Sequence, residues 1–241
     1  MSLLFDFDKN NKSAKYLIGT DEAGRGPLAG PVVAAAVCFK NITPSLIEAL
    51  DSLNDSKKLT HLQREKLFDV IKNNTIHSIV SIDVEEIESI NILQASLKAM
   101  RVACSEVVSQ IGDDVEVFVD GNKKIPSFMY KQKYIVKGDS KSASVAAASI
   151  LAKVYRDSLM GDLAKEFPQY FWEDNKGYGT KKHVEAIKKY GVTKYHRQSF
   201  LTKILQGNQL EIIQLKMDFW LKHLEKHVIL LDEYSRRLRY E

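Results

Sequence analysis

Residues 17–31 read LIGTDEAGRGPLAGP, and residues 32–39 continue as VVAAAVCF. An apolar run ends on two adjacent carboxylates, Asp21 and Glu22, then passes through glycines at 24, 26 and 30 and prolines at 27 and 31. Short apolar runs on either side of a glycine-proline loop are the pattern of an antiparallel strand pair. YLIGT (16–20) and VVAAAVCF (32–39) are therefore predicted as the first two strands, with the acids closing the first. Adjacent strand residues point to opposite faces, so Asp21 and Glu22 can share a site only where the strand ends and twists. The glycines that follow give the chain that freedom.

Outward from this pair, LIEALDSL (46–53) and THLQREKLFDVIKNN (60–74) have helical spacing, the second with Thr60 placed as its N-cap. HSIVSIDV (77–84) reads as a third strand, and NILQASLKAMRVACSEVVSQIG (91–112) as a helix stopped by Gly112. VEVFVDG (115–121) is a β-branched strand ending on Asp120, and YIVKGD (134–139) is another short strand. SASVAAASILAKVYRDSLMGDLAKEF (142–167) is a helix rich in small residues, followed by a looser stretch, a helix at 181–190 and the segment YHRQSF (195–200). Strands first with helices laid over them give an α/β fold built on a central mixed β-sheet. Residues 207–241 repeat apolar positions in a nearly heptad pattern, among them Leu210, Ile213, Met217, Trp220 and Leu224, and read as an amphipathic helix packed on the chain's own body, with a coiled-coil partner helix as the alternative.

Four acids stand out by position. Asp21 and Glu22 close the first strand, Asp120 closes the fourth, and Asp157 continues the stripe of Ala147, Ile150 and Val154 that faces the sheet. Buried carboxylates need a counter-charge. An oxygen-only set with no nearby Cys or His pair points to a hard divalent cation, Mg2+ or Mn2+, which shares its remaining positions with phosphate oxygens. Taken singly, each acid reads as a turn former or an ion-pair partner, Asp157 with Lys153 or Arg156. The loop changes the reading. It lacks the endings of a Walker loop and of a dinucleotide-binding turn, but its bare main chain at Gly24, Arg25 and Gly26 can approach a sugar-phosphate closely. Ser, Gly and Lys recur at loop-to-helix junctions in DSKKL (55–59), KGDSKSAS (137–144) and GYGTKKH (177–183), where helix N-termini favour phosphate.

The composition excludes little. Lys and Arg number 35 against 31 Asp and Glu, a net charge of +4, which admits a polyanionic partner without requiring one. The N-terminal residues lack the cationic start and apolar stretch of a secretory leader, and no apolar run reaches the roughly 18–20 residues of a membrane span. The expectation is a cytoplasmic protein with no membrane partner. Cys38 and Cys104 have no CxxC spacing and read as reduced core thiols.

TDEAGRGPLAGPVVAAAV resembles the signature of the ribonuclease HII family, and DSKKLT, VFVDGN, KGDSKSASVAAASILAKVYRD, GYGTKKH and YHRQSF resemble its later blocks in order, over about residues 15–203. The GRG triplet separates the chain from the sister type HIII. The resemblance implies an RNase H-like fold, a central mixed sheet flanked by helices with a helical C-terminal part. Residues 1–206 would form that catalytic domain and 207–241 a helical extension to which nothing transfers. It implies endonucleolytic cutting of RNA in RNA–DNA hybrids, and nicking at a single ribonucleotide in duplex DNA; a monomer is expected, and the sequence names no protein partner. On the same basis Asp21, Glu22, Asp120 and Asp157 are the metal-holding catalytic acids. Gly24, Arg25 and Gly26 read the 2′-hydroxyl, Tyr178 works with them, and Lys57, Ser140 and Lys141 hold phosphates. Two-metal hydrolysis leaving a 5′-phosphate and a 3′-hydroxyl is the expected chemistry. The rivals are an RNase H-like nuclease acting on branched DNA and a catalytically silent nucleic-acid binder.

Overall fold

The structure, a computed structural model, describes residues 3–53 and 59–205. Among these, strands β1 (Tyr16–Ala23), β2 (Val32–Cys38), β3 (Ile76–Ile82), β4 (Val115–Asp120) and β5 (Lys131–Ile135) form one sheet in the order β3-β2-β1-β4-β5. The helices are α1 (Leu3–Asn11), α2 (Pro44–Ala49), α3 (His61–Asn74), α4 (Val84–Ile90), α5 (Ile92–Ile111), α6 (Ala143–Glu166), α7 (Trp172–Asn175), α8 (Lys181–Tyr190) and α9 (Gln198–Leu205). β1 pairs antiparallel with β2 and β2 with β3, whereas β1–β4 and β4–β5 are parallel, so the sheet is mixed. The glycine-proline loop makes the antiparallel connection that its sequence predicts. No helix among the described residues is long and apolar enough to cross a membrane.

Strand alternation divides the core. On one face Ile18, Ala34, Ala36, Val117 and Val119 pack against Ala99, Met100, Ala103 and Val107 of α5. On the other, Val33, Ala35 and Val37 pack against Ala143, Ala146, Ala147 and Ile150 of α6. Each fully buried Val or Ile here contributes roughly 1.5–3 kcal/mol. Every residue from Ala143 to Ala152 is buried, which accounts for the small residues that the sequence puts there. Gly19 is the contact point: a Cβ at this position would lie 2.1 Å from the carbonyl carbon of Ser144 and 2.3 Å from the amide nitrogen of Val145. Helix α6 therefore meets β1 main chain to main chain. A satellite cluster of Leu28, Met160, Tyr170, Trp172, Ile187 and Leu201 joins the far end of α6 to α8 and α9.

Several boundaries differ from the sequence reading. β1 does not stop at Thr20: Asp21, Glu22 and Ala23 stay paired with Ala35, Ala34 and Val33 of β2. Its pairing to β4 ends at Thr20–Val119, so the strand ends at the acids on one side only. The third strand closes at Ile82 because Asp83 caps α4 by accepting from the Glu86 amide. β5 is drawn toward the N-terminus by its register with β4, and Gly138–Ser140 becomes a 3-10 turn ahead of α6. The polar leader contains α1, whose Phe5 and Asp8 are buried. The expected antiparallel hairpin, the Thr60 N-cap on α3 and the Gly112 stop on α5 are all present, and Gln63 completes a capping box with Thr60. Lys57 and the extension at 207–241 lie outside the described residues.

The main-chain contact at Gly19 predicts a large cost for any side chain there. Gly19→Ala should lower stability in urea unfolding by at least the roughly 1–3 kcal/mol typical of overpacking. An unchanged midpoint would contradict the close approach.

Candidate active site

The three acids of β1 and β4 meet where β4 pairing has ended. Asp21 points to the α6 face, where the Ser149 side chain hydrogen-bonds to it, and the Glu22 amide donates to its Oδ1 at 2.7 Å. Glu22 points the other way, into a cleft of about 130 Å³ that it shares with Arg25, Ser96, Met100, Asp120 and Asn122. Asp120, the last residue of β4, acts on both. Burial, then the charges of Glu22 and Asp120, hold the Asp21 carboxyl well above the usual carboxylate range. Burial also raises Glu22, with Arg25 opposing the shift through a 3.1 Å ion pair and Asp120 adding to it. Strand alternation is thus not broken. Asp120 sits at the strand end where it can serve acids from both faces.

Asp157 does not join this group. Its Oδ1 accepts from Lys153 Nζ at 2.7 Å, and it borders a groove with His61, Glu65 and Asp69 of α3. The reason is helical geometry: Ser149, which bonds Asp21, is eight residues earlier on α6, a rise of about 12 Å along the axis. The turn that the fold brings beside Asp120 carries another acid, Asp139, which the sequence analysis did not single out inside KGDSKS. Asp139 is buried in the 3-10 turn, and the amide of its neighbour Gly138 donates to Asp120 Oδ1 at 2.7 Å. Its signal in the sequence was weak, an acid in a lysine-serine cluster between strand and helix. Ser140 and Lys141 tie this turn together, Ser140 Oγ donating to the Lys137 carbonyl and Lys141 Nζ to the Val136 carbonyl, each at 2.9 Å.

The oxygen-only donors suit Mg2+ or Mn2+, and raised carboxylates are those for which a cation offsets repulsion. Among the described residues no three His, Cys, Asp or Glu side chains are already arranged to hold a metal ion.

The glycine loop is held by two buried arginines that sequence patterns did not single out. Arg197 donates from Nη2 to the carbonyls of Gly24 and Gly30, both at 2.7 Å, from Nε to Gly30 at 3.0 Å and from Nη1 to Arg25 at 3.2 Å. Arg156 donates to the carbonyls of Pro31, Ala29 and Lys176 at 2.9–3.0 Å. Burial, then the neighbouring Arg156, pushes Arg197 down to about 9, which leaves it charged at neutral pH. In a trans peptide the C=O and the following N–H point in opposite directions. Anchoring the Gly24 and Arg25 carbonyls inward therefore turns the amides of Arg25 and Gly26 outward. Gly24 has φ +98°, and a Cβ there would meet Arg156 Nε at 2.2 Å.

Tyr178 stands over this loop. The residue is 45% exposed, with its ring Cε1 3.7 Å from where a Gly26 Cβ would be. A main-chain bond from Leu28 N to the Gly177 carbonyl at 2.8 Å ties its turn to the loop, and one from Arg197 N to the Leu28 carbonyl at 2.7 Å ties the Arg197 segment to the same loop. Clustered acids and outward, preorganised amides are groups that can position and stabilise a phosphodiester undergoing hydrolysis.

Comparison with known proteins agrees with this layout. A ribonuclease HII family profile matches residues 18–203. Ribonuclease HII from Fusobacterium nucleatum is 54% identical over 197 residues, covering 81% of this chain and 90% of its own. Ribonuclease HII from Caldanaerobacter subterraneus is 52% identical over 193 residues, covering 80% and 76%. Among solved structures, the ribonuclease H2 from Pyrococcus horikoshii superposes with a TM-score of 0.61 at 27% identity, covering 79% of this chain and 97% of that one. Bst-RNase HIII in complex with Mn2+ shares the fold, with a TM-score of 0.67 at 19% identity over 83% and 72% of the two chains.

The core beneath Tyr178 sets an acid limit. Burial, then the adjacent His183, pushes the His196 imidazole down to about 3, against about 6.5 in an unfolded chain. Above pH 6.5 the ring is neutral in both states and has no effect. As pH falls below 6.5 only the unfolded chain takes up the proton, so stability drops by up to about 1.4 kcal/mol per pH unit until about pH 3. Urea unfolding between pH 7 and 4 should show this slope, and His196→Gln should reduce it by one proton; an equal slope in the variant would rule out the assignment.

Proposed function

The chain belongs to the ribonuclease HII family, and from this we propose that it nicks duplex DNA at single embedded ribonucleotides as well as cutting the RNA of hybrids, by hydrolysis at the corner of Asp21, Glu22 and Asp120. It is a ribonuclease H, an endonuclease whose family substrate is the RNA–DNA hybrid. The family also implies dependence on a divalent cation. The observation that carries the finer reading is the gathering of three carboxylates at the open end of β1 and β4, where burial first and then the charges of Glu22 and Asp120 raise Asp21.

Asp21, Glu22 and Asp120 would hold Mg2+ or Mn2+, as a pair of ions whose chemistry when bound is activation of a water and stabilisation of the leaving 3′ oxygen. On this reading the fourth acid is Asp139 rather than Asp157. The products carry a 5′-phosphate and a 3′-hydroxyl. Only the 2′-hydroxyl distinguishes RNA from DNA at a given sugar, and the outward amides of Arg25 and Gly26 are rigid donors for it. Tyr178 packs against the next sugar, where a second hydroxyl would collide, so the site senses an RNA-to-DNA junction. The turn built by Ser140 and Lys141 at the start of α6 holds a neighbouring phosphate, as does Lys57 on the segment before α3.

Asp120→Asn should abolish cleavage while leaving hybrid binding largely intact in a gel-shift assay. Asp139→Asn should lower the rate by about 100-fold or more and Asp157→Asn by less than about tenfold; the reverse order would return Asp157 to the site. Tyr178→Ala should reduce the preference for a lone ribonucleotide over a long hybrid by roughly tenfold, the scale of one stacking contact. Unchanged cut-site choice would remove the junction-reading role.

A further inference from the structure

Beneath Tyr178 lie two histidines that the hydrolysis does not use. His183 of α8 is fully buried and His196 nearly so, enclosed by Tyr170 and Trp172. Their hydrogen bonds form an ordered series whose polarity can be read from its ends. The Thr193 amide donates to His196 Nδ1 at 2.9 Å, so that nitrogen is an acceptor and the ring proton is on Nε2. His196 Nε2 lies 3.2 Å from His183 Nε2, which also accepts from Trp172 Nε1 at 3.0 Å. His183 Nε2 is therefore an acceptor twice over, and its proton is on Nδ1. That nitrogen is 2.9 Å from the Tyr178 carbonyl and donates to it.

We infer that this neutral pair is a positioning relay, in which His183 and His196 fix the main chain of Tyr178 and so set its ring over the glycine loop. The inference rests on the junction-reading role of Tyr178 and adds the residues that enforce it. Two features favour a positioning role over simple core packing. The series begins on one main-chain amide and ends on one main-chain carbonyl, so it transmits direction and not only volume. Its far member is also joined to the loop, since His196 forms an isolated antiparallel bridge with Ala29. The turn it restrains is otherwise unusual, with left-handed backbone at Lys176 (φ 49°) and Gly177 (φ 85°). Such a turn keeps its shape only when neighbouring contacts determine it.

The two ends of the His183 ring can be tested separately. In His183→Gln the amide reaches the position of Nε2 and keeps an acceptor for Trp172, but nothing donates to Tyr178. In His183→Asn the amide takes the position of Nδ1 and keeps that donor. The Gln variant should lose about tenfold in preference for a single ribonucleotide over a long hybrid, the worth of one hydrogen bond. The Asn variant should keep the preference within about threefold, and Gln combined with Tyr178→Ala should be no worse than Tyr178→Ala alone. Equal effects of Gln and Asn, or full additivity, would overturn the relay. If Tyr178→Ala by itself leaves the preference unchanged, the junction-reading role fails and the relay's purpose with it. If Tyr178→Ala acts and His183→Gln does not, the relay alone is at fault. Should the variants fold poorly, nitrogen-15 NMR of the native enzyme at pH 7 decides the matter: protons on His183 Nδ1 and His196 Nε2 support the relay, and any other tautomer or a charged ring overturns it.

Discussion

Helix α6 touches strand β1 through main-chain atoms because position 19 has no side chain, and most of the site follows from that contact. With α6 held there, Ser149 reaches Asp21 from one side of the sheet. The turn leading into α6 falls beside the end of β4, where the Gly138 amide binds Asp120. Farther along the same helix, Arg156 reaches the carbonyls of the glycine loop. A helix one side-chain layer higher would lose all three contacts together. The run of alanines from Ala146 to Ala148 serves the same end, since larger residues would lift the helix from β2.

Charge is distributed to match. Acids gather at the open end of β1 and β4, and two buried arginines lie under the loop beside them. Burying a guanidinium is costly unless its donors are satisfied, and here main-chain carbonyls satisfy them. The result is a loop whose carbonyls are committed inward and whose amides face out before any substrate arrives. Preorganised dipoles of this kind cost nothing to orient at the moment of reaction. The same loop is tied by main-chain bonds to the Tyr178 turn and to the His196 segment.

Much of this was legible from residues alone. The apolar runs flanking GRGPLAGP gave the antiparallel pair, and strand-end Asp120 gave the third acid. What could not be read were consequences of distance across the fold. Asp157 fits the inward stripe of α6, yet a stripe says nothing about position along the axis, and its neighbour Lys153 claims it. Asp139 looked like part of a lysine-serine surface cluster until β5 shifted in register and drew that cluster into a buried turn. Arg156 and Arg197 resemble any surface arginine in sequence, because their partners are carbonyls, which leave no trace in residue identity. The pairing of Asp21 and Glu22 across opposite faces was resolved by a half-ended strand, a state that periodicity does not encode.

The most direct test of this account is where a cation binds. Crystals soaked in Mn2+ and examined by anomalous scattering should show density at the junction of Asp21, Glu22 and Asp120, with Asp157 still on Lys153. Density instead in the groove between α3 and α6, held by Asp157, would contradict the placement of the reaction at the ends of β1 and β4.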